Sequence, residues 1–408
     1  MSSSGTNTWT DHFAGNFSWS NATMVTKGMA PYGVVALGEI ERIGLKLKAR
    51  FAADANDKDA WWQEWCAMAA HVERLADTAA GRGHQLTAGD TYMRAGFYYY
   101  TAERMVYPGP RKTEIYQKSF DCHRKGLARS FPQIEPVEVP YEGKSLPAYF
   151  LKAAGNPTRP APTVVVFDGL DNCKEMSVLF AGLEFSRRGF NTLAIDGPGQ
   201  GETLRLRGIF SRHDYEVAGT AAFDYVAQRP EVDAGRVAVM GYSFGGYTAP
   251  RMVAFEQRYC AGVAFGAMFW DMQAWMKRVR DQMRSGAAAT SHFQIPWVLG
   301  ILADRSGAGA NAMTDLDFDK AIDMIGRFSL AGVAERITCP FLVMHGENDR
   351  IVPPGEARIL YDKIGSPRKT LKIFSAEEGG AEHCQVDDRQ AGVNMMADWL
   401  TDTVFRAS

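Results

Sequence analysis

Four short apolar runs after residue 160 constrain the fold more than any other feature of the sequence. Each run holds four residues, all apolar except Thr192, between polar or turn-forming neighbours. The runs lie at residues 163–168, 191–196, 236–241 and 340–345. Strands of this composition are typically buried on both faces, as in a parallel sheet between two layers of helices. Because helical patterns separate the runs, the sequence predicts an α/β domain with a mostly parallel sheet and helices on both faces.

Weaker patterns extend this sheet at both ends. Residues 137–153 form two strand-like stretches around Glu142-Gly143, which indicates a hairpin. Further strands are predicted over 261–268 and 371–374. Helical periodicity occupies residues 175–187, 214–228 and 391–405.

The part of the chain before residue 132 has a different character. Its apolar residues recur at helical spacing, with Trp61, Trp62 and Trp65 in one segment and Tyr92 to Tyr100 in the next. Gly81-Arg-Gly83 separates these segments, so an antiparallel helical hairpin is predicted, with more helix from 112 to 130.

A long insertion interrupts the alternation of strand and helix between residues 269 and 336. A segment of this length, rich in Trp and Met, indicates a small helical cap. The predicted division is a helical N-terminal region over 1–131, the α/β core over 132–268, the cap over 269–336 and the rest of the core over 337–408.

Composition and charge narrow the class of protein. The formal net charge is -2, from 45 basic and 47 acidic residues, which favours neither a nucleic acid nor a membrane as partner. The first fifteen residues lack the pattern of a signal peptide, and no run is long enough to span a membrane. Six scattered cysteines without a C-x-x-C pair indicate a reduced, cytoplasmic protein rather than one held by disulfides or zinc.

The stretch GYSFGG, residues 241–246, directly follows one of the apolar runs and begins a helical pattern. It matches G-x-S-x-G in the strand–turn–helix context that this motif requires. The flanking glycines permit a tight turn that presents the Ser243 hydroxyl above the sheet. Ser243 is therefore the predicted nucleophile.

A serine nucleophile needs a base, and the base needs an orienting acid. His383 lies in a glycine-containing loop after the last predicted strand, from which it can reach over the sheet, whereas His345 ends a strand and is expected to be buried scaffold. Asp349 follows the strand at 340–345 and stands between serine and histidine in chain order. Asp349 is the predicted acid, with Glu347 as the alternative.

Two backbone N–H groups are the predicted donors to the oxyanion: that of Phe244, after the nucleophile, and that of Leu170, after the strand at 163–168. The glycine-rich stretch DGPGQG, residues 196–201, has neither G-K-[ST] nor the spacing G-x-G-x-x-G. It is predicted to be a turn at the entrance of the site rather than a phosphate loop.

At these motifs the sequence resembles the α/β-hydrolase fold. It is most similar to the 2,6-dihydropseudooxynicotine hydrolase group within the FrsA-like serine hydrolases, and more distantly to fungal polyketide-shortening pigment hydrolases. The matching stretches are TVVVFDGLDNCKE, IDGPGQGE, GYSFGG, HGENDRIVP and EHC followed by MADWL. The aromatic helical front also has a counterpart there, so the resemblance covers most of the chain.

The resemblance implies a hydrolase that cleaves a carbon–carbon bond next to a ketone, without metal or organic cofactor, as a homodimer. The sequence departs from that pattern at Asp168, where many relatives carry histidine, and in the cap, which has no glutamate between Glu256 and Glu335. Asp271 is the nearest substitute for that glutamate, and a helix N-cap is its alternative role. We expect the N-terminal region to help close the site, and the predicted substrate contacts are Trp270, Asp271, Tyr98, Tyr99 and Tyr100.

Two other functions remain open on the residues alone. The same nucleophile, base and acid would serve an esterase, lactonase or thioesterase, because these reactions share the attack on a carbonyl. A non-catalytic ligand-binding protein that kept the fold is the third possibility. Aromatic and Met-rich segments in the cap indicate a mid-sized apolar or aromatic carbonyl substrate.

Overall fold

The computed structural model describes residues 10–54, 57, 59–155, 159–266, 272–284, 294–301 and 315–405. The chain divides into two compact units. We call Met1–Pro132 with Val279–Gln294 the helical unit, and Gln133–Arg278 with Ile295–Ser408 the sheet unit. Residues of the predicted cap, 269–336, belong to both units. None of the helices in the described ranges has both the length and the apolar character needed to cross a membrane.

Among the described residues before 132, the helical unit has five α-helices of eleven or more residues. They are α1 Phe17–Lys27, α2 Leu37–Ala53, α3 Ala60–Gly81, α4 Gln85–Glu103 and α5 Pro110–Ser130. The predicted hairpin is formed by α3 and α4. Gly83 between them has φ +80°, and the N–H of His84 donates to the carbonyl oxygen of Ala79, as in helix ends that reverse through a left-handed glycine. Trp61 and Trp65 on α3 lie in the core of this unit.

The sheet unit is built on an eight-stranded sheet. Its strands are β1 Ile134–Tyr141, β2 Lys144–Leu151, β3 Ala161–Phe167, β4 Asn191–Ile195, β5 Val232–Tyr242, β6 Ala261–Phe265, β7 Phe341–Gly346 and β8 Lys369–Phe374. They are ordered β1-β2-β4-β3-β5-β6-β7-β8. Strand β2 runs antiparallel to both of its neighbours, and all other pairs are parallel.

The four apolar runs correspond to β3, β4, β5 and β7, as predicted. Every residue of β3, β4, β6 and β7 is buried, whereas only Phe374 is buried on the edge strand β8. The predicted hairpin joins β1 to β2 through Glu142 and Gly143, with φ of +45° and +73°. Two consecutive positive φ values are what the tightest hairpin turns require.

The remaining helices connect and cover these strands. They are α6 Lys174–Ser177, α7 Leu183–Arg187, α8 Gly201–Arg205, α9 Glu216–Ala227, α10 Gly245–Phe255, α11 Met272–Arg284, α12 Ile295–Val298, α13 Asp315–Ile325, α14 Pro354–Lys363 and α15 Arg389–Leu400. The segment Val178–Gly182 joins α6 to α7, and Thr401–Phe405 continues α15. Because the parallel strands all point the same way, the loops after β3, β5, β7 and β8 emerge at one edge of the sheet.

Candidate active site

Ser243 stands on the turn between β5 and α10. Its φ is +57°, a left-handed conformation that costs a non-glycine residue about 1–2 kcal/mol. The N–H of Ser243 donates to the carbonyl oxygen of Phe265 at 3.2 Å, and its own carbonyl oxygen accepts from Gly246 at 2.7 Å. These bonds hold the strained turn, and the side chain remains half-buried at the carboxyl edge of the sheet.

The turn closes tightly because glycines line it. A Cβ on Gly241 would lie 2.5 Å from the carbonyl oxygen of Gly245, which is closer than any side chain tolerates. A Cβ on Gly169, in the loop after β3, would lie 2.9 Å from the Cβ of Ser243. Gly241 therefore lets the start of α10 pack closely against the end of β5, and Gly169 lets the loop after β3 pack against Ser243.

A continuous chain of hydrogen bonds links Ser243 to two other predicted residues. The Oγ of Ser243 lies 2.9 Å from Nε2 of His383. Nδ1 of His383 lies 2.8 Å from Oδ2 of Asp349. The structure thus brings these three side chains together in the order serine, histidine, acid, although they follow three different strands.

The loop that carries His383 is held against the end of β6. Cys384 and Gln385 have φ of +54° and +50°, so the chain bends sharply just after the histidine. A Cβ on Gly266 would lie 2.4 Å from the Cα of Cys384, and the Cys384 N–H donates to the Gly266 carbonyl oxygen. This close approach fixes where the imidazole stands.

The side chain of Asp349 is completely buried, and both of its oxygens have hydrogen-bond partners. Its Oδ1 accepts from the N–H groups of Ile351 and Val352 at 2.8 and 2.9 Å. Its Oδ2 faces His383 and lies 3.3 Å from Nε2 of His345. The alternative acid, Glu347, is exposed and accepts from the N–H of Ala376 instead, so of the two acids it is Asp349 that contacts His383.

Burial and the charge of the partner have opposite effects on the pKa of His383 and on that of Asp349. Removal from water disfavours the His383 imidazolium, but the neighbouring Asp349 carboxylate and, after it, Cys384 favour the imidazolium and together hold the pKa of His383 well above its usual value. Burial alone would raise the pKa of Asp349, but its contact with His383 lowers it below the usual range. A histidine with a raised pKa is a stronger base for a serine hydroxyl.

His345 lies under the acid and is entirely buried, as expected of scaffold. Its Nε2 lies 3.0 Å from the carbonyl oxygen of Val352. Burial lowers the pKa of His345, which favours the neutral ring. A neutral His345 adds no positive charge that would compete with His383 for Asp349.

The two predicted oxyanion donors lie on loops beside Ser243. Phe244 directly precedes α10, and the first N–H groups of a helix have no partner within the helix. Leu170 follows Gly169, the residue that packs on Ser243. In the described ranges, neither the Phe244 N–H nor the Leu170 N–H has an acceptor.

Gln200 holds the loop that carries Leu170. Its Nε2 donates to the carbonyl oxygen of Asp168 and lies 3.4 Å from that of Gly169, while its Oε1 accepts from the Gly197 N–H at 2.9 Å. The stretch DGPGQG is therefore a turn, as predicted, and it anchors the loop after β3. Sequence reasoning missed this role, because no local pattern connects residue 200 with residue 168.

A second anchor lies at the other end of that loop. The N–H of Lys174 and the N–H of Glu202 both donate to the carboxylate of Asp196 at 2.7 Å. The ammonium group of Lys174 lies 2.8 Å from Glu202 and 3.1 Å from Asp196. Because all three side chains are buried, this network ties the start of α6 firmly to the turn after β4.

Asp168 directly follows β3 and precedes Gly169. Its side chain is fully buried; Oδ1 accepts from Ser177 and lies 3.4 Å from the hydroxyl of Tyr242. Burial, together with the neighbouring Asp196, raises the pKa of Asp168 well above its usual value. Asp168 is thus expected to be a neutral acid whose contacts with Ser177 and Tyr242 hold the start of the loop after β3.

The structure describes three of the five predicted substrate contacts. Trp270 and Asp271 lie outside the described residues. Tyr98, Tyr99 and Tyr100 are buried on α4 of the helical unit. The hydroxyl of Tyr98 donates to Glu39 at 2.7 Å, and that of Tyr99 donates to Glu73 at 2.8 Å. A substrate role for the tyrosines stays a prediction, and two of the hydroxyl groups already have partners within their own unit.

Among the described residues, no group of three or more His, Cys, Asp or Glu side chains is arranged to hold a metal ion.

Comparison with known proteins shows several relatives of similar length. The hydrolase phmG of Phaeosphaeria nodorum is 28% identical over 405 residues, covering 89% of this chain and 84% of the relative. The 2,6-dihydropseudooxynicotine hydrolase of Paenarthrobacter nicotinovorans is 26% identical over 362 residues, covering 86% and 87%. A crystal structure of the 2,6-dihydroxy-pseudo-oxynicotine hydrolase shares the fold, with a TM-score of 0.70, 22% identity and 93% and 96% of the two chains covered.

A family model matches the chain as well. It spans residues 173–394, which is more than half of the sequence and includes Ser243, Asp349 and His383. Together with the relatives, it confirms the resemblance that the motifs indicated, and it marks the protein as a hydrolytic enzyme. The chain belongs to the alpha/beta hydrolase family.

Proposed function

We propose that the protein is a serine hydrolase in which Ser243 is the nucleophile, His383 the base and Asp349 the orienting acid. The observation that carries the proposal is the hydrogen-bonded chain from Ser243 Oγ through His383 to Asp349. It starts on a left-handed turn at the carboxyl edge of a parallel sheet, where such folds bind their ligands. The raised pKa of His383 is the direction that a base requires.

The proposed reaction begins when Nε2 of His383 takes the proton of Ser243 and Oγ attacks the substrate carbonyl carbon. The carbonyl oxygen becomes an oxyanion, which accepts hydrogen bonds from the N–H groups of Leu170 and Phe244. Asp349 stabilises the imidazolium through Nδ1. The imidazolium then protonates the leaving group, and water, activated by the same histidine, releases the acyl group from Ser243.

The bond cleaved is proposed to be a carbon–carbon bond next to a ketone, in keeping with the resemblance of the motifs. A carbanion leaves only if a second carbonyl group or an aromatic ring delocalises its charge. An ester, lactone or thioester is the second candidate, because an alkoxide or thiolate needs less help to depart. The substrate in either case is a small carbonyl compound, and Asp271 remains the proposed cap residue on the leaving side.

A fluorophosphonate and two matched substrates test this function. We expect the purified protein to form one covalent phosphonate adduct, located on Ser243 by peptide mass spectrometry. We also expect faster hydrolysis of a β-diketone than of an aryl ester with the same acyl group. A reversed preference would make the protein an esterase, and absence of any adduct would favour the non-catalytic alternative.

The pH dependence of phosphonate labelling tests the partnership between His383 and Asp349. Because the base acts when neutral and its pKa is raised, the labelling rate should rise with pH through a midpoint above 6.5. Asp349→Asn removes the largest contribution that raises this pKa, while burial, which lowers it, remains, so the midpoint should move to lower pH. The labelling rate at high pH should also be lower in this variant, because the side-chain amide orients the His383 imidazole less well than the carboxylate does.

The control for the pH experiment is Glu347→Gln, since Glu347 is exposed and bonded elsewhere. This variant should keep both the midpoint and the plateau of the wild type. A larger loss in Glu347→Gln than in Asp349→Asn, with both variants folded, would reverse the assignment of the acid.

The proposed compartment is the cytoplasm. All six cysteines are free thiols in the structure. Unpaired cysteines in this number are typical of proteins kept in a reducing environment.

A further inference from the structure

The further inference concerns Trp275, on helix α11 of the predicted cap. Its side chain is buried and shares one face of the helix with Met272, Met276 and Val279, which are buried as well. The indole Nε1–H of Trp275 donates to the carbonyl oxygen of Ile351 at 3.1 Å. This bond joins the cap helix to the loop that follows the acid, Asp349.

The acceptor of this bond belongs to a peptide group that also holds the acid. The carbonyl of Ile351 and the N–H of Val352 are the two ends of one peptide group, and that N–H donates to Oδ1 of Asp349 at 2.9 Å. Hydrogen bonds in such a chain polarise one another, so each bond strengthens the next. An unbroken chain of bonds therefore runs from Trp275 through this peptide group to Asp349 and on to His383.

The next carbonyl group of the same loop is held by the sheet. The carbonyl oxygen of Val352 lies 3.0 Å from Nε2 of His345, a residue of β7. The loop that carries the donors to Asp349 thus has one support from the sheet and another from the cap. Of these two supports, only Trp275 bonds to the peptide group whose N–H reaches the carboxylate.

We propose that Trp275 is a positioning residue for the attack by Ser243. Its indole N–H fixes the Ile351–Val352 peptide group, and through it the carboxylate of Asp349, so the acid is fully oriented only while α11 rests on this loop. The proposal rests on the serine-hydrolase function above and gives the cap a part in catalysis besides contact with the substrate. The role requires neither proton transfer by Trp275 nor contact between Trp275 and the substrate.

The test compares two changes at position 275 with a control, by fluorophosphonate labelling across a range of pH. Trp275→Phe keeps an aromatic ring and removes the donor. Replacing Trp275 with 3-benzothienylalanine keeps the outline of the indole and puts sulfur in place of the N–H, so it separates loss of the bond from loss of packing. The control is Trp399→Phe, since the indole of Trp399 on α15 donates to Thr370 instead.

Both changes at position 275 are expected to lower the labelling rate about 10-fold, less than the roughly 10²-fold that a displacement of about 1 Å can cost. The loss should be the smaller one because the loop keeps its bond to His345. The 3-benzothienylalanine variant should melt close to the wild-type temperature, since its packing is kept. Trp399→Phe should keep the wild-type labelling rate.

The pH midpoint of labelling should move to lower pH in the two variants at position 275. A less firmly held carboxylate of Asp349 favours the His383 imidazolium less, so the shift should have the direction of that in Asp349→Asn and a smaller size. Cys384 and His345, the other titratable groups that act on this pair, are unchanged in these variants. Trp399→Phe should keep the wild-type midpoint.

A double variant shows whether Trp275 acts through the acid. In the Asp349→Asn background, Trp275→Phe should scarcely lower the labelling rate further, because the carboxylate that the indole helps to orient is already gone. Losses that multiply in the double variant would overturn the proposal, because they would mean that the two residues act independently.

Three further results would overturn it: a wild-type rate in both variants at position 275, a midpoint that stays or rises, or a loss in Trp275→Phe that 3-benzothienylalanine restores. A wild type that the fluorophosphonate does not label overturns the proposed function along with this inference. A labelled wild type with unaffected variants overturns this inference alone.

Discussion

Replacing Ser243 with alanine is expected to lower kcat on the order of 10⁴-fold or more and to leave the fold intact. The change deletes the one atom that attacks the carbonyl, while the N–H donors and the binding surface remain and sustain a small residual rate. Turnover of an aryl ester, for example a p-nitrophenyl ester, measures the loss. The variant should also form no phosphonate adduct.

A glycine at the same position provides the matched control for strain. Alanine at position 243 must adopt the left-handed φ of +57° and has the same conformational cost as serine, whereas glycine adopts this φ without strain. Ser243→Gly should therefore be as inactive as Ser243→Ala yet more stable than it by about 1 kcal/mol. If Ser243→Ala retained half of the wild-type rate, Ser243 could not be the nucleophile.

Replacing His383 with alanine is expected to cause a loss of the same order as Ser243→Ala. The serine is a weak nucleophile without a base 2.9 Å from its Oγ. Because the two side chains act as a unit, the double variant should be scarcely slower than either single variant. The measurement is kcat for the three variants on one ester under identical conditions.

His71→Ala is the control for the histidine experiment. His71 is exposed on α3 of the helical unit, so its removal should leave kcat unchanged. Losses that multiplied in the double variant would show that Ser243 and His383 act independently, contrary to the proposal.

The sheet could be predicted from sequence because its signals are local. The runs that became β3, β4, β5 and β7 are apolar over three or four consecutive positions, which distinguishes buried parallel strands from their surroundings. The sequence also placed Ser243 on the turn between β5 and α10, since its motif lies between one such run and a helical pattern. The choice between Asp349 and Glu347 was harder, because both stand in the same short loop and only the tertiary structure shows which carboxylate contacts His383.

Other features escaped prediction for physical reasons. Helix α1 buries serine and threonine as well as apolar residues, so it carries little amphipathic contrast. Helix α2 does show buried positions at helical spacing, and Ile40, Ile43 and Leu47 could have revealed it. Hydrogen bonds between residues far apart in the sequence produce no local sequence pattern. Gln200 bonds to Asp168 across 32 positions, and the hydroxyl of Tyr98 bonds to Glu39 across 59.

The pairing of β6 with β7 has a consequence for how such an enzyme can change. These strands are direct neighbours, with Gly262 opposite Phe341, yet the predicted cap lies between them in the chain. The insertion thus leaves and re-enters the sheet at adjacent strands, and its length places no demand on their register. A longer or shorter segment between β6 and β7 would therefore leave the register of these strands unchanged, and with it the positions of Ser243, His383 and Asp349 at the edge of the sheet.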